Sequence, residues 1–254
     1  MEIEYTDERP SNEIIRQELA NFDLGEIFIQ PTDEKGVILR MKEVSEEVHH
    51  EIVEKLRESY PLQELRFETI GPVIGRELRD KTITVVALSL LAILFYIAFA
   101  FRKLNFPAKS WQYGLASLVA LFHDALIPLG VFSVLGKVYD IQITIPVVVA
   151  LLTVLGYSIN NTVVVFDRIR ENLLKKIKEN YEDTVDVSLN QTLARSLSTS
   201  TTTLFVLIAI FFFGGETLKY FALMLILGIV AGTYSSLFLV SPLLAVWLRL
   251  RKKT

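Results

Sequence analysis

Thr153-Val-Leu-Gly-Tyr-Ser-Ile-Asn160-Asn161-Thr-Val-Val-Val-Phe-Asp167-Arg168-Ile-Arg170-Glu-Asn172 is the stretch on which the reading of the chain turns. It starts in an apolar run, takes on two adjacent amides where hydrocarbon would continue, and ends in Asp167, Arg168 and Arg170. Polar groups within a lipid-spanning helix are expensive, so they face a bundle interior or a transport path. At helical spacing Thr153, Tyr157, Asn161, Val164 and Arg168 fall on one face. That face is expected to turn away from lipid.

Composition agrees with a membrane protein that carries a soluble part. Hydrophobic residues make up 51% of the 254 and the mean hydropathy is +0.40, yet 22% of the residues are charged. The charges are segregated. Residues 1–80 hold ten Lys/Arg against twenty Asp/Glu, net −10, whereas residues 81–254 hold sixteen against nine, net +7. An acidic soluble domain (1–80) is thus joined to a transmembrane domain (81–254) with basic loops. There is no cysteine, which excludes disulfide and thiol chemistry.

The first eighty residues read as a small α+β domain. Ile3-Glu-Tyr5 alternates like a strand. Ser11 caps a helix with Ile14, Ile15 and Leu19 at helical spacing. Glu26–Gln30 and Val37–Met41 flank a turn at Pro31–Gly36 and form a hairpin. Ser45 caps a second helix reaching Arg57, and Leu65–Thr69 is a closing strand. The order βαββαβ is that of a ferredoxin-like fold. His49 and His50 lie on the second helix with no cysteine or third histidine near, so a solvated helix face is expected there rather than a metal site.

Beyond residue 80, five apolar stretches are long enough to span a bilayer: 83–101, 111–135, 143–166, 198–213 and 218–248. The fourth opens with Ser198-Thr-Ser-Thr-Thr-Thr203, whose hydroxyls can bond back to their own helix carbonyls. Gly228 and Gly232 form a G-x-x-x-G that lets another helix pack closely. Basic residues cluster on one set of loops: Arg102, Lys103 and Lys109, then Arg168 to Lys178, then Arg249 to Lys253. The positive-inside rule puts these loops, and the C-terminus, in the cytoplasm. Residues 1–80 are then extracytoplasmic, and a preceding span is expected upstream.

No P-loop, dinucleotide fingerprint, zincin helix or G-x-S-x-G is present, so a bond-breaking enzyme is not expected. Neither is a cofactor, a metal or a nucleic-acid partner. What remains at membrane depth is a sparse polar set: His123, Asp124, Asn160, Asn161, Asp167, Arg168 and Arg195. Asp124 reads either as a buried carboxylate bonded to a neighbouring helix or as a titrating group. His123 lies about 100° around the helix from it, so the two need not act together. Asp167 and Arg168 suit interfacial anchoring. Arg195 reads either as snorkelling to lipid phosphate or as reaching inward to a carboxylate or amide.

Several motifs together carry a resemblance. Glu68-Thr-Ile-Gly-Pro-Val-Ile-Gly-Arg-Glu-Leu78, Ala120-Leu-Phe-His-Asp124, Leu155-Gly-Tyr-Ser-Ile-Asn160 through Asn172, Leu189-Asn-Gln-Thr-Leu-Ala-Arg195 and Gly214-Gly-Glu216 occur in the order found in the SecF proteins of the SecD/SecF family. The chain resembles that family from about residue 1 to 248. The resemblance implies an RND-type helical bundle with a small N-terminal ferredoxin-like extracytoplasmic domain, set in the bacterial inner membrane. The family has six spans, and its first span and Gly-Gly-Thr motif are absent from this sequence. It further implies a SecD-like partner, the SecYEG translocon, preprotein as the transported substrate, and proton entry as the driving force. Arg195 matches the family arginine tied to proton conduction. Asn161 stands where the family usually has a proton-carrying aspartate in Asn-Asp-Thr; here the run is Asn160-Asn161-Thr162. An amide cannot carry a proton near neutral pH. Asn161 is then either an engineered mimic of the protonated acid or a natural variant that couples differently. Two other readings stand beside the secretion subunit: an efflux half-transporter of the wider RND type, and a membrane subunit whose polar residues serve only packing. The efflux reading expects much larger external domains.

Overall fold

The computed structural model describes residues 1–32, 34–69, 72–100 and 108–251. Asp33 of the expected hairpin turn, Phe101, and Arg102, Lys103, Lys252 and Lys253 of the basic loops lie outside the described residues. So do Ile70 and Gly71 of the first motif. The chain divides into two compact units, Met1–Ile83 with Val134–Gln142, and Thr84–Ser133 with Ile143–Thr254.

In the first unit the elements run β1 (Glu2–Tyr5), α1 (Asn12–Glu18), β2 (Phe28–Pro31), β3 (Gly36–Arg40), α2 (Glu46–Ser59) and β4 (Leu62–Arg66). The hydroxyls of Ser11 and Ser45 accept from the amides of Ile14 and Val48, as N-caps do. The four strands form one antiparallel sheet in the order β2-β3-β1-β4, the ferredoxin-like arrangement. Ile3, Ile15, Leu19, Ile29, Val37 and Ile52 are buried in its core. One expectation fails here. His49 is not on a solvated face: it is buried, while His50 is exposed. The reason is spacing, because His49 shares the core-facing stripe of α2 with Ile52, Val53 and Leu56. Its Nε2 lies 2.7 Å from Glu64 Oε1 on β4, and its ring stacks on Phe67 at 3.7 Å.

The helices that follow are α3 (Pro72–Ala100), α4 (Ser110–Tyr139), α5 (Ile145–Leu174), α6 (Tyr181–Phe213), α7 (Gly215–Phe238) and α8 (Val240–Arg251). Among the described residues, α4, α5, α6 and the α7–α8 stretch Leu218–Leu250 are each long and apolar enough to cross a membrane. The expected span 83–101 falls on α3, apart from Phe101.

Two helices differ from the apolar runs that announce them. The run 198–213 is only the end of α6, which starts at Tyr181. Its earlier turns bury a polar stripe of Thr184, Ser188, Thr192 and Ser196. Thr184, Ser188 and Thr192 bond back to carbonyls four residues earlier, and Thr199 and Thr203 repeat this further on. The run 218–248 is two helices, broken at Leu239. Pro242 has no N–H to give the Phe238 carbonyl, so the ladder cannot pass through. Between α6 and α7 there is a single residue, Gly214, followed by Gly215 at φ +72°, a conformation that favours glycine.

The packing of α5 on α7 is unusually close. A Cβ placed on Gly228 would sit 2.2 Å from Val154 Cγ2, and one on Gly232 would sit 3.1 Å from Ser158 Cβ. The two missing side chains therefore let the backbones approach. Around this seam, Tyr113 of α4 meets Phe166 of α5 edge to face at 4.9 Å, and Trp111 of α4 meets Trp247 of α8 at 5.4 Å.

Candidate functional site

The inner face of α5 is not the one that the spacing of Thr153, Tyr157, Asn161, Val164 and Arg168 proposes. Of those five only Asn161 is buried; Thr153 is exposed, with its hydroxyl bonded to its own Val149 carbonyl at 2.9 Å. The buried stripe is Val154, Ser158, Asn161, Val165, Ile169 and Asn172, turned by one residue. Small Ser158 and compact Val154 oppose the two glycines of α7, so close packing selects this face in preference to polarity alone.

Ser158 is thereby carried to the centre of the bundle, where it donates to Oδ2 of Asp124 on α4. Ser235 of α7 donates to the same oxygen at 2.6 Å. Asp124 is wholly buried, and no other Asp, Glu, Lys or Arg among the described residues is buried. Its second oxygen, Oδ1, lies 2.9 Å from His123 Nδ1. Although the two residues are about 100° apart around the helix, the imidazole turns back onto the carboxylate, stacked against Tyr234 of α7 at 6.3 Å. One carboxylate thus joins three helices, and both oxygens are engaged. Hydrogen bonds to both oxygens thus stand in for water around this buried polar group.

The remaining candidates lie around this hub. Asn161 is buried, and its Nδ2 has no hydrogen-bond partner among the described residues. One turn earlier, the Tyr157 hydroxyl reaches Ser200 of α6 at 3.2 Å, and Ser200 pairs with Thr233 of α7 at 2.6 Å. Asn160 is exposed and lines a groove of about 440 Å³ with Ala92, Ile93 and Tyr96 of α3. Arg195 is exposed on α6, and its guanidinium bonds to no described residue. Asp167 is exposed and pairs with Arg170 at 3.0 Å. Arg168 does more than mark the helix end: it donates to Gln191 of α6 at 2.7 Å and to Glu171 at 2.6 Å. Asn172 completes this α5–α6 seam, donating to Ser188 and Gln191, each at 2.8 Å.

The motifs that position these residues also match known proteins. Residues 41–250 fit the family model of the protein export membrane protein SecD/SecF, C-terminal. The chain belongs to the SecD/SecF family. It is 44% identical to the protein translocase subunit SecF of Thermobaculum terrenum, over 92% of this chain and 77% of that one. To the SecDF subunit of Thermus thermophilus it is 45% identical, over 74% of this chain and 24% of the relative. The crystal structure of SecDF from Thermus thermophilus, a translocon-associated membrane protein, superposes with a TM-score of 0.81 at 36% identity. That superposition covers 97% of this chain and 33% of the SecDF chain, so the present sequence spans about a third of it. The fold is accordingly the RND-type helical bundle of this SecD/SecF family with its small ferredoxin-like domain, in a multi-pass membrane protein.

Ser158 and Ser235 are the site residues that the sequence does not single out. The only signal is that each lies on the glycine seam, Ser158 opposite Gly232 and Ser235 three residues after it.

Proposed function

We propose that this chain is a SecF-type subunit of the protein-export machinery, working with a SecD-like partner beside SecYEG to couple proton entry to preprotein movement. The observation that carries the reading is the superposition on one third of a single-chain SecDF, over nearly all of the present sequence. The rest of that longer chain is what a separate SecD-like subunit would supply. Arg195 supports the reading: it is exposed, its guanidinium bonds to no described residue, and a group from such a partner could meet it. The role is transport, not bond-breaking. The N-terminal domain is extracytoplasmic and the C-terminus cytoplasmic, in the inner membrane, because the basic residues gather on one set of loops.

Asn161 sets the terms of the coupling. It occupies the position where the family resemblance places an aspartate, is buried, and has an amide nitrogen without a partner among the described residues. A carboxyl in the same volume would exchange protons, whereas an amide only donates and accepts hydrogen bonds. The complex built on this chain therefore conducts protons weakly. In vesicles containing the chain and a SecD-like partner, Asn161→Asp is expected to raise proton flux severalfold. Unchanged flux, with the complex intact on purification, would sink the coupling role of this position. Failure of the chain to co-purify with any SecD-like partner would sink the subunit reading itself.

A further inference from the structure

We propose that the His123–Asp124 pair is a proton-binding site in its own right, and that its occupancy sets how tightly α4 is held against the α5–α7 pair. This rests on the transport reading above, yet it concerns a different position from Asn161. Three observations carry it. Asp124 is the one buried Asp, Glu, Lys or Arg among the described residues, and it lies near the midpoint of α4. Its Oδ2 accepts from hydroxyls on two other helices, Ser158 of α5 and Ser235 of α7. Its Oδ1 meets His123, whose side chain is 31% exposed while that of Asp124 is 0% exposed.

The chemistry follows from this asymmetry. An ionised carboxylate is an acceptor only, and two hydroxyls aimed at one oxygen are best matched by the charged form. A proton delivered to Asp124 neutralises the carboxylate and weakens both serine bonds, which link α4 to α5 and to α7. The partly exposed imidazole is the group through which the proton comes and goes, from its outer nitrogen to the Nδ1 that faces Oδ1. The groups facing the pair are few. From α5 it meets Ser158, and from α7 Ser235 and, against the imidazole, Tyr234. Tyr157 of α5 turns away to Ser200, and His123 is the sole ion-pair partner of Asp124 among the described residues. Among the described residues no Lys or Arg pairs with Asp124.

The test is infrared difference spectroscopy of the full chain in lipid across a pH series, following the carbonyl stretch of a protonated carboxylic acid. A band that grows as pH falls, and that Asp124→Asn removes, is expected. A band present at every pH, one absent at every pH, or one that survives Asp124→Asn overturns the proposal. Ser235→Ala keeps the carboxyl and removes one of its two serine donors, so the band must persist with its carbonyl stretch moved in frequency. An unmoved stretch overturns the link to α7. Since the readout is the protonation of one side chain, it stands or falls apart from binding to a SecD-like partner or secretion activity.

Discussion

The two units each contain a histidine paired with a carboxylate, and the pairs are built in opposite senses. In the ferredoxin-like unit His49 is the hidden member, 8% exposed at the side chain, while Glu64 is 25% exposed. In the bundle the acid is hidden at 0% and His123 is 31% exposed. The first pair pins α2 to the neighbouring strand, with Phe67 stacked on the imidazole; its carboxylate still meets solvent. The second has its carboxylate tied to two further helices. Which member is buried decides whether such a pair is a local staple or a junction of the whole bundle.

The largest effect that would break this contrast is expected at Asp124. Asp124→Ala takes the carboxylate from both serine hydroxyls in a dry interior, leaving Ser235 only the Gly232 carbonyl, a loss of about 3–5 kcal/mol. His49→Ala, at the half-solvated pair, is expected to cost about 1–2 kcal/mol. Thermal unfolding of the full chain in detergent, with hydrogen exchange to locate each loss, compares the two directly. Equal losses would remove the distinction.

A smaller effect sharpens the view of the seam on which the junction depends. Gly228→Ala sets a methyl into Val154 and is expected to destabilise by about 1–3 kcal/mol, as overpacking does. Gly232→Ala, where the nearest atom is at 3.1 Å, should cost distinctly less. A reversed order in melting temperature would show that α5 and α7 do not meet as described.

The smallest expected effect lies in the soluble unit and appears only in alkali. Tyr5 is buried, with its hydroxyl unpartnered among the described residues, and burial pushes its phenol up to about 12. The folded state thus holds the phenol neutral above its ordinary value of 10.0. Its contribution to stability is complete below that value and is lost as pH rises through about 12. Tyr5→Phe should abolish this alkaline loss in hydrogen exchange of the sheet while leaving the unit unchanged near neutrality.

Much of the first unit is legible in the sequence because its signals are local. Ser11 and Ser45 are caps, Pro31–Gly36 punctuates a hairpin, and apolar periods mark both helices. The exception, His49, is polar by type but core-facing by position. Within the bundle, apolar runs find helices yet misplace their ends. Hydroxyls that bond to their own backbone carry α6 through the polar turns before the run, and a missing N–H at Pro242 divides what composition joins. Asp124 stands out in the sequence as a charge in a span, but its partners do not. Thr153, Ser117 and Thr199 bond to their own helices, so a serine that reaches across looks no different until the glycine seam is in place. The inner face of α5 was hidden for the same reason: polarity pointed to Tyr157, and fit against α7 selected Ser158.

The single-residue connection at Gly214 has a consequence for biogenesis. With α6 ending at Phe213 and α7 beginning at Gly215, there is almost no loop between them, and the Gly214 amide is already bonded to the Ile210 carbonyl at 2.7 Å. So short a tip lets the two helices enter the membrane during synthesis as one preformed hairpin.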